Sequence, residues 1–147
     1  MALTCDIPSM VRAVRPTIRF AEAQEGMVVQ QILQEASVAL ASLVDWTQPL
    51  GPYWLLASVE HPVGCLMVNP GTPVGRMEFL AVHPSLSARQ TALVIRDLCY
   101  AGMAVLQKNG SQCVGSYIAD LDVRWHQVVS RRHFVPMEHG TFMLRRL

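Results

Sequence analysis

The stretch that decides the fold runs from Arg76 to Gly110 and reads RMEFLAVHPSLSARQTALVIRDLCYAGMAVLQKNG. Its first residues, 76–82, are strand-like, and a short turn follows them. Ser87 followed by Gln90 matches a capping box, in which the serine hydroxyl and the glutamine amide each satisfy a free backbone N–H. Apolar residues then recur at helical spacing up to Asn109, and this pattern predicts a strand–turn–helix unit. The predicted buried stripe of the helix comprises Ala92, Ile95, Cys99, Met103 and Leu106.

Patterns on both sides extend this unit into a complete domain. Strands are predicted at 17–21, 53–59, 63–68 and 113–119. A helix is predicted from Glu22 with apolar residues up to Leu40, and further helices at 42–46 and 122–133, before a closing hairpin at 134–147. Turns rich in proline and glycine separate the middle strands and favour antiparallel pairing. The order predicts a mixed α/β domain, in which a mostly antiparallel sheet is flanked by helices.

Residues 1–15 carry no periodic pattern and are followed by Pro16. We interpret them as an N-terminal arm, with a single domain at 16–147. Because chain termini fray unless they are held, we expect the arm to pack on its own domain or on another chain.

The bulk composition narrows the functional classes. The 147 residues suit one domain, 51% are hydrophobic and 16% are charged, so disorder is not expected. The formal net charge of +1 gives no general attraction for nucleic acid or for an anionic membrane. The C-terminal quarter is locally basic, but few aromatic residues are interleaved with its arginines, which makes nucleic-acid binding a poor interpretation. No apolar run approaches the roughly 18 residues that a membrane span needs.

Cysteine and histidine spacing gives no metal or disulfide pattern. The four cysteines are widely spread and form no CxxC motif, so we expect buried free thiols in a reducing compartment, the cytoplasm. The five histidines show neither HxxxH nor HExxH spacing, and we predict no metal site.

Three further segments match one known family in their order and spacing. The first is TIRFA at 17–21, followed by an acidic helix start, and the second is EFLAVHP at 78–84. The third is SRRHF at 130–134, before the predicted final hairpin. Together they resemble the opening strand and helix, the fourth strand with its exit turn, and the Gly-Phe segment of the GNAT family of N-acetyltransferases. The resemblance spans 16–147 and implies the acyl-CoA N-acyltransferase fold.

The resemblance also implies a site for acetyl-CoA, in a degenerate form. After the fourth strand the family has Arg or Gln, two residues, Gly, one residue, then Gly or Ala, and the backbone N–H groups there bind the pyrophosphate. In this chain Ser87 replaces the first residue, Gln90 replaces the central glycine, and only Ala92 fits. A side chain at position 90 would hinder close approach of a phosphate, and Arg89 can add a side-chain contact. The implied cofactor-binding residues are Val82, Ser87, Ala88, Arg89, Gln90, Thr91 and Ala92.

Two residues are implied as catalytic. Many members deprotonate the amine with a glutamate on the fourth strand, and Glu78 matches it; the alternative is that Glu78 faces outward and pairs with Arg76. The family's usual tyrosine, which reprotonates the leaving thiolate, is replaced by Val129. Tyr117 on the predicted fifth strand can substitute if it points into the cleft; the alternative is a core position with a satisfied hydroxyl.

Two functions follow from these residues. The first is an acetyl-CoA-dependent N-acetyltransferase of the cytoplasm, with an amine substrate and weakened cofactor binding. The second is a catalytically inactive GNAT-fold component of a larger assembly, such as a bacteriophage virion, that contacts protein partners through its arm. The missing glycine, the missing tyrosine and the arm itself motivate the second, and an oligomer is compatible with either.

Overall fold

The computed structural model describes residues 12 to 116 together with residues 127, 130 and 131. The strands there are β1 (Thr17–Phe20), β2 (Trp54–Val59), β3 (His61–Asn69), β4 (Val74–Val82) and β5 (Cys113–Gly115). The helices are α1 (Gly26–Glu35), α2 (Leu40–Leu43) and α3 (Ala88–Lys108). The predicted helix at 122–133, the hairpin at 134–147, and most of the N-terminal arm lie outside the described residues.

In the described part of the chain the five strands form one sheet in the order β1-β2-β3-β4-β5. The first three pairings are antiparallel, and β4 pairs with β5 in parallel. The predicted mixed, mostly antiparallel sheet is therefore confirmed. The long α3 between β4 and β5 provides the crossover that a parallel pair requires.

Both faces of the sheet are covered. Alternate residues of β2 point to opposite faces, so Leu56 packs with α1 and α2 whereas Leu55 packs with α3. Burial on both sides explains why β2 reads as a nearly continuous apolar run. None of the helices within the described ranges is long and apolar enough to cross a bilayer.

The sheet-facing stripe of α3 differs from the predicted one. The buried residues of α3 are Gln90, Val94, Leu98, Gly102 and Leu106. Of the predicted stripe only Leu106 belongs to this set; Ala92 is exposed and the other three are half-buried. A Cβ added at Gly102 would lie 2.8 Å from the Met77 sulfur and 2.9 Å from Leu66 Cδ2, so α3 packs closely against the sheet there. Because a glutamine and a glycine occupy this stripe, a pattern of apolar residues could not reveal it.

Two element boundaries also differ from the predictions. The first helix ends at Glu35, because Ser37 takes a left-handed backbone conformation with φ 59°, and Leu40 begins α2. The residues expected to form the turn between the second and third strands, His61 and Pro62, belong to β3. The turn lies one residue earlier, at Glu60, whose φ is 68°.

Candidate functional site

A pocket of about 460 Å³ opens where the α2–β2 connection meets β3 and β4. Most of the wall formed by the described residues is apolar, and three charged residues among them face the pocket. The apolar lining includes Leu40, Trp46, Leu50, Trp54, Met67 and Phe79; the charged residues are Asp45, Arg76 and Glu78. A concave, mainly apolar surface with a few polar groups is the usual form of a small-molecule site.

Two tryptophans make one wall of this pocket rigid. Trp46 and Trp54 pack edge to face, with ring centroids 5.9 Å apart and an interplanar angle of 72°. The Trp46 indole N–H donates to the carbonyl oxygen of Ala41 at 3.0 Å. Since both rings are buried and one is hydrogen-bonded, the wall offers a preformed apolar surface to a ligand.

Glu78 lies in the pocket with 12% of its side chain exposed. Asn69 Nδ2 donates to Glu78 Oε2 at 2.9 Å, while Arg76 Nη1 lies 3.7 Å from Glu78 Oε1. The carboxylate therefore does not face outward, as one alternative drawn from the sequence held, but Arg76 does lie near it, as that alternative predicted. Among the described residues, one carboxylate oxygen accepts a hydrogen bond from the Asn69 amide, and the other has Arg76 as a loose ionic neighbour. Its role as a base remains a prediction.

A β-bulge in β4 helps to build the pocket. The register with β3 shifts between Cys65 and Met67, and Phe79 has a φ of 53°, a strained value for a bulky residue. In a regular strand Glu78 and Phe79 would point to opposite faces, but here both line the pocket. Sequence reasoning missed this feature, because no glycine or proline marks the bulge.

Asp45 contributes a second carboxylate to the pocket. Its Oδ1 accepts hydrogen bonds from the Thr47 backbone N–H at 3.0 Å and from the Thr47 hydroxyl at 2.6 Å. These bonds fix the residue in a local turn of the α2–β2 connection. No sequence pattern marks this acid, since the fold alone brings it into the pocket beside β4.

The predicted helix start of α3 is present. Ser87 Oγ accepts a hydrogen bond from the Gln90 backbone N–H at 3.1 Å, as the capping box predicts. The predicted reciprocal bond of the capping box is wrong, because the Gln90 side-chain amide does not bond to the backbone of Ser87. Its Oε1 accepts from the Val14 N–H at 2.8 Å and its Nε2 donates to the Val14 carbonyl at 2.6 Å. Gln90 is 8% exposed and belongs to the sheet-facing stripe of α3. From this buried position its side chain binds the end of the N-terminal arm.

The other residues predicted to bind the cofactor lie around this helix start. Val82 ends β4 and is half-buried, opposite Gly64 of β3. Ala88 and Arg89 are exposed in the first turn of α3, Thr91 is half-buried, and Ala92 is exposed. Tyr117 lies outside the described residues, so its position relative to Glu78 stays a prediction.

A polar network that the sequence did not indicate holds the turn between β4 and α3. His83 Nδ1 accepts from the Ser85 N–H at 3.1 Å and lies 2.6 Å from the Ser85 hydroxyl. Its Nε2 pairs with Glu35 at the end of α1. The network therefore ties the exit of β4 to α1 and fixes the approach of the chain to α3.

The edge of β4 beside this turn is open in the described part of the chain. There β5 pairs only with Val74, Gly75 and Arg76 of β4. The residues of β4 from Met77 to Val82, which include the bulge, have no strand beside them on that edge among the described residues. This edge leads from the start of α3 towards Glu78.

No protein-family model matches the sequence, and no curated protein matches it. Solved structures do resemble the fold. An aminoglycoside N-acetyltransferase in complex with CoA is 16% identical, with a TM-score of 0.64 over 90% of this chain and 95% of that one. A ribosomal-protein-alanine N-acetyltransferase from Brucella melitensis is 12% identical, with a TM-score of 0.63 over 88% and 98%. Ard1 from Thermoplasma volcanium is 16% identical, with a TM-score of 0.63 over 85% and 86%.

Proposed function

We propose that this chain, whose fold is that of the GNAT N-acetyltransferases, transfers an acyl group from an acyl-CoA to a primary amine. The observation that carries the proposal is the Glu78 carboxylate, mostly buried in an apolar pocket and held through one oxygen by Asn69. A positioned carboxylate at a pocket wall is what removal of a proton from an incoming ammonium requires.

Glu78 is the general base in this proposal. Because Asn69 bonds to Oε2, and no described residue donates a hydrogen bond to Oε1, Oε1 is the oxygen that would receive the proton. Arg76 at 3.7 Å from Oε1 is beyond hydrogen-bond distance, so an ammonium can approach that oxygen. The bulge orients Glu78 and Phe79 to the same side, which puts the base beside an aromatic surface. Tyr117 is the proposed acid that protonates the departing thiolate.

An acyl-CoA, when bound, would supply the acyl group as a thioester, and the residues at the start of α3 fit its phosphates in part. The Gln90 side chain, expected to obstruct the loop, is instead turned into the sheet-facing stripe. The Ser87 cap takes the Gln90 N–H, but the N–H groups of Ala88 and Arg89 have no helical carbonyl to bond. These two groups, the exposed Arg89 side chain and the helix dipole would hold the phosphates. We infer weaker affinity than a glycine-containing loop provides, and acetyl-CoA as the cofactor.

A second candidate is a catalytically inactive binding or structural component of a larger assembly, such as a bacteriophage virion. The observation in its favour is the bond between the Gln90 amide and the Val14 main chain. Gln90, which replaces the loop glycine, thus uses its side chain to bind the chain's own N-terminal arm and not a ligand. Val14 itself packs on the chain's own domain, so in this candidate the arm residues outside the described range would contact a protein partner, and the protein would reside in the assembly rather than in the cytoplasm.

An acyl-transfer assay separates the two candidates. The protein is incubated with millimolar acetyl-CoA and a panel of primary amines, and release of the free thiol is followed. We expect Glu78→Gln to lower kcat about 100-fold or more, because general-base catalysis contributes about 10²- to 10⁴-fold. Glu60→Gln, an exposed carboxylate in the β2–β3 turn, serves as the matched control and should retain the wild-type rate. Failure to transfer to any amine would favour the second candidate, and equal rates for the two variants would exclude Glu78 as the base.

A further inference from the structure

Opposite charges lie side by side on one wall of the pocket. Arg76 and Glu78 are two residues apart in β4 and therefore share a face of the sheet. Both line the pocket, with Arg76 Nη1 at 3.7 Å from Glu78 Oε1. The pocket wall thus offers one anion and one cation close enough together to contact two neighbouring charged groups of one small ligand.

Arg76 is available to a ligand. Its side chain is 63% exposed, and the described residues give it Glu78 as a loose ionic partner beyond hydrogen-bond distance. The planar guanidinium can form two parallel hydrogen bonds with a carboxylate. An arginine of this kind at the pocket opening is suited to an acceptor that carries a carboxylate.

The rest of the wall suits an apolar group. Trp46, Trp54 and Phe79 present aromatic surface, and Leu50 and Met67 add aliphatic surface. The third charged residue of the pocket among those described, Asp45, already accepts hydrogen bonds from the Thr47 N–H and hydroxyl. An apolar ligand side chain is stabilised here by the removal of its surface from water.

From these groups we propose that the acceptor is a free apolar α-amino acid, an inference that rests on the proposed acyl transfer. Such a molecule holds its ammonium nitrogen and a carboxylate oxygen about 3 Å apart, as bond lengths of roughly 1.2 to 1.5 Å require. The ammonium can therefore pair with Glu78 while the carboxylate pairs with Arg76, and the side chain packs on the tryptophan wall.

The reaction balances with the residues named. Glu78 Oε1 takes a proton from the α-ammonium, and the neutral nitrogen attacks the thioester carbonyl carbon. A C–N bond forms, the C–S bond breaks, and the electron pair leaves with the thiolate, which takes a proton from the proposed acid Tyr117. The nitrogen, positively charged after the attack, loses its second proton to solvent, and exchange with solvent restores Glu78 and Tyr117, so that one proton is released overall. The product is an N-acyl amino acid, whose carboxylate keeps its pairing with Arg76 throughout.

Binding measured without any acyl-CoA tests the inference by itself. The probes for isothermal titration are L-phenylalanine, phenethylamine, which lacks the carboxylate, and 3-phenylpropanoate, which lacks the amine. We expect phenylalanine to bind about tenfold more tightly than either analogue. Arg76→Gln should lower the affinity for phenylalanine to that for phenethylamine and leave the affinity for phenethylamine unchanged. Arg76→Lys should retain part of the preference for phenylalanine over phenethylamine. Arg12→Gln, an exposed arginine outside the pocket, is the matched control.

Several results would overturn the inference. The first is equal affinity of the wild-type protein for phenylalanine and phenethylamine, and the second is no binding of any probe. The third is an equal loss of affinity for the two amines in Arg76→Gln. Transfer assays separate its failure from that of the proposed function. Acetylation of phenethylamine but not of phenylalanine contradicts the amino-acid acceptor alone. Phenylalanine binding that depends on Arg76, without acyl transfer from any acyl-CoA, supports the amino-acid site and contradicts the proposed function.

Discussion

Replacing Gln90 with alanine removes the hydrogen bonds that this side chain makes between α3 and the N-terminal arm, and leaves the ion pair of Arg15 Nε with Asp97 Oδ2 at 3.6 Å in place. The amide makes two hydrogen bonds with the Val14 main chain, at 2.8 Å and 2.6 Å, from a side chain that is 8% exposed. Each bond contributes about 1 kcal/mol net. Alanine recovers a few tenths of a kcal/mol in helix propensity, while the buried methylenes of glutamine are lost. We therefore expect the free energy of unfolding to fall by about 2 kcal/mol.

Thermal unfolding and hydrogen exchange measure this effect. A loss of about 2 kcal/mol should lower Tm by roughly 4 to 8 °C in a chain of this size. The Val14 amide should also exchange faster, because its acceptor is gone. Gln107→Ala is the matched control, since Gln107 is exposed on the same helix and has the same change in propensity. Equal Tm values for the two variants, with unchanged exchange at Val14, would refute the proposed link.

Three further predictions concern stability and reactivity. The hydrogen bonds from Arg19 lower the pKa of Glu25 to about 2, from its ordinary value of 4.5. The stabilisation that the ionised Glu25 contributes is thus present above pH 4.5 and is lost as the pH falls towards 2. The free energy of unfolding of Glu25→Gln should therefore be about 1 kcal/mol lower than that of the wild type at pH 7, and it should depend less on pH in that window. Gly102→Ala should destabilise the protein by about 1 to 3 kcal/mol in denaturant unfolding, since the added Cβ would lie 2.8 Å from a methionine sulfur, and a stabilised variant would contradict the close packing of α3. Burial raises the pKa of Cys65 to about 12, so a thiol reagent should modify the exposed Cys113 in the native protein and leave Cys65 unmodified until unfolding; mass spectrometry showing rapid labelling of Cys65 would contradict its burial.

The sequence predicted those parts of the fold that local signals encode. Short turns between apolar strands predicted the antiparallel pairings, and the Ser87 hydroxyl was correctly predicted to cap α3. These features depend on residues within a few positions of each other. Their physical causes, backbone hydrogen bonding and side-chain alternation, are readable from spacing alone.

Features that depend on distant contacts were missed or mistaken. The Gln90 amide was expected to complete the cap, yet it bonds to Val14, 76 residues earlier. The same residue belongs to the buried stripe of α3, which an apolar pattern could not show because it also contains Gly102.

The candidate site was predictable only in part. Glu78 was named from the resemblance, and the structure places it in a pocket. The bulge at Phe79, the Asn69 amide and the second carboxylate of Asp45 follow from tertiary packing, and no residue type in the sequence marks them.

The most direct test of the acyl-CoA-dependent function is isothermal titration of the wild-type chain with acetyl-CoA up to millimolar concentration. We expect saturable binding at one site, with a Kd of roughly 0.1 to 1 mM, because the start of α3 keeps two N–H groups without a helical carbonyl partner and the Arg89 side chain but lacks the glycine loop. Absence of any binding heat at millimolar acetyl-CoA would contradict the proposed acyl transfer.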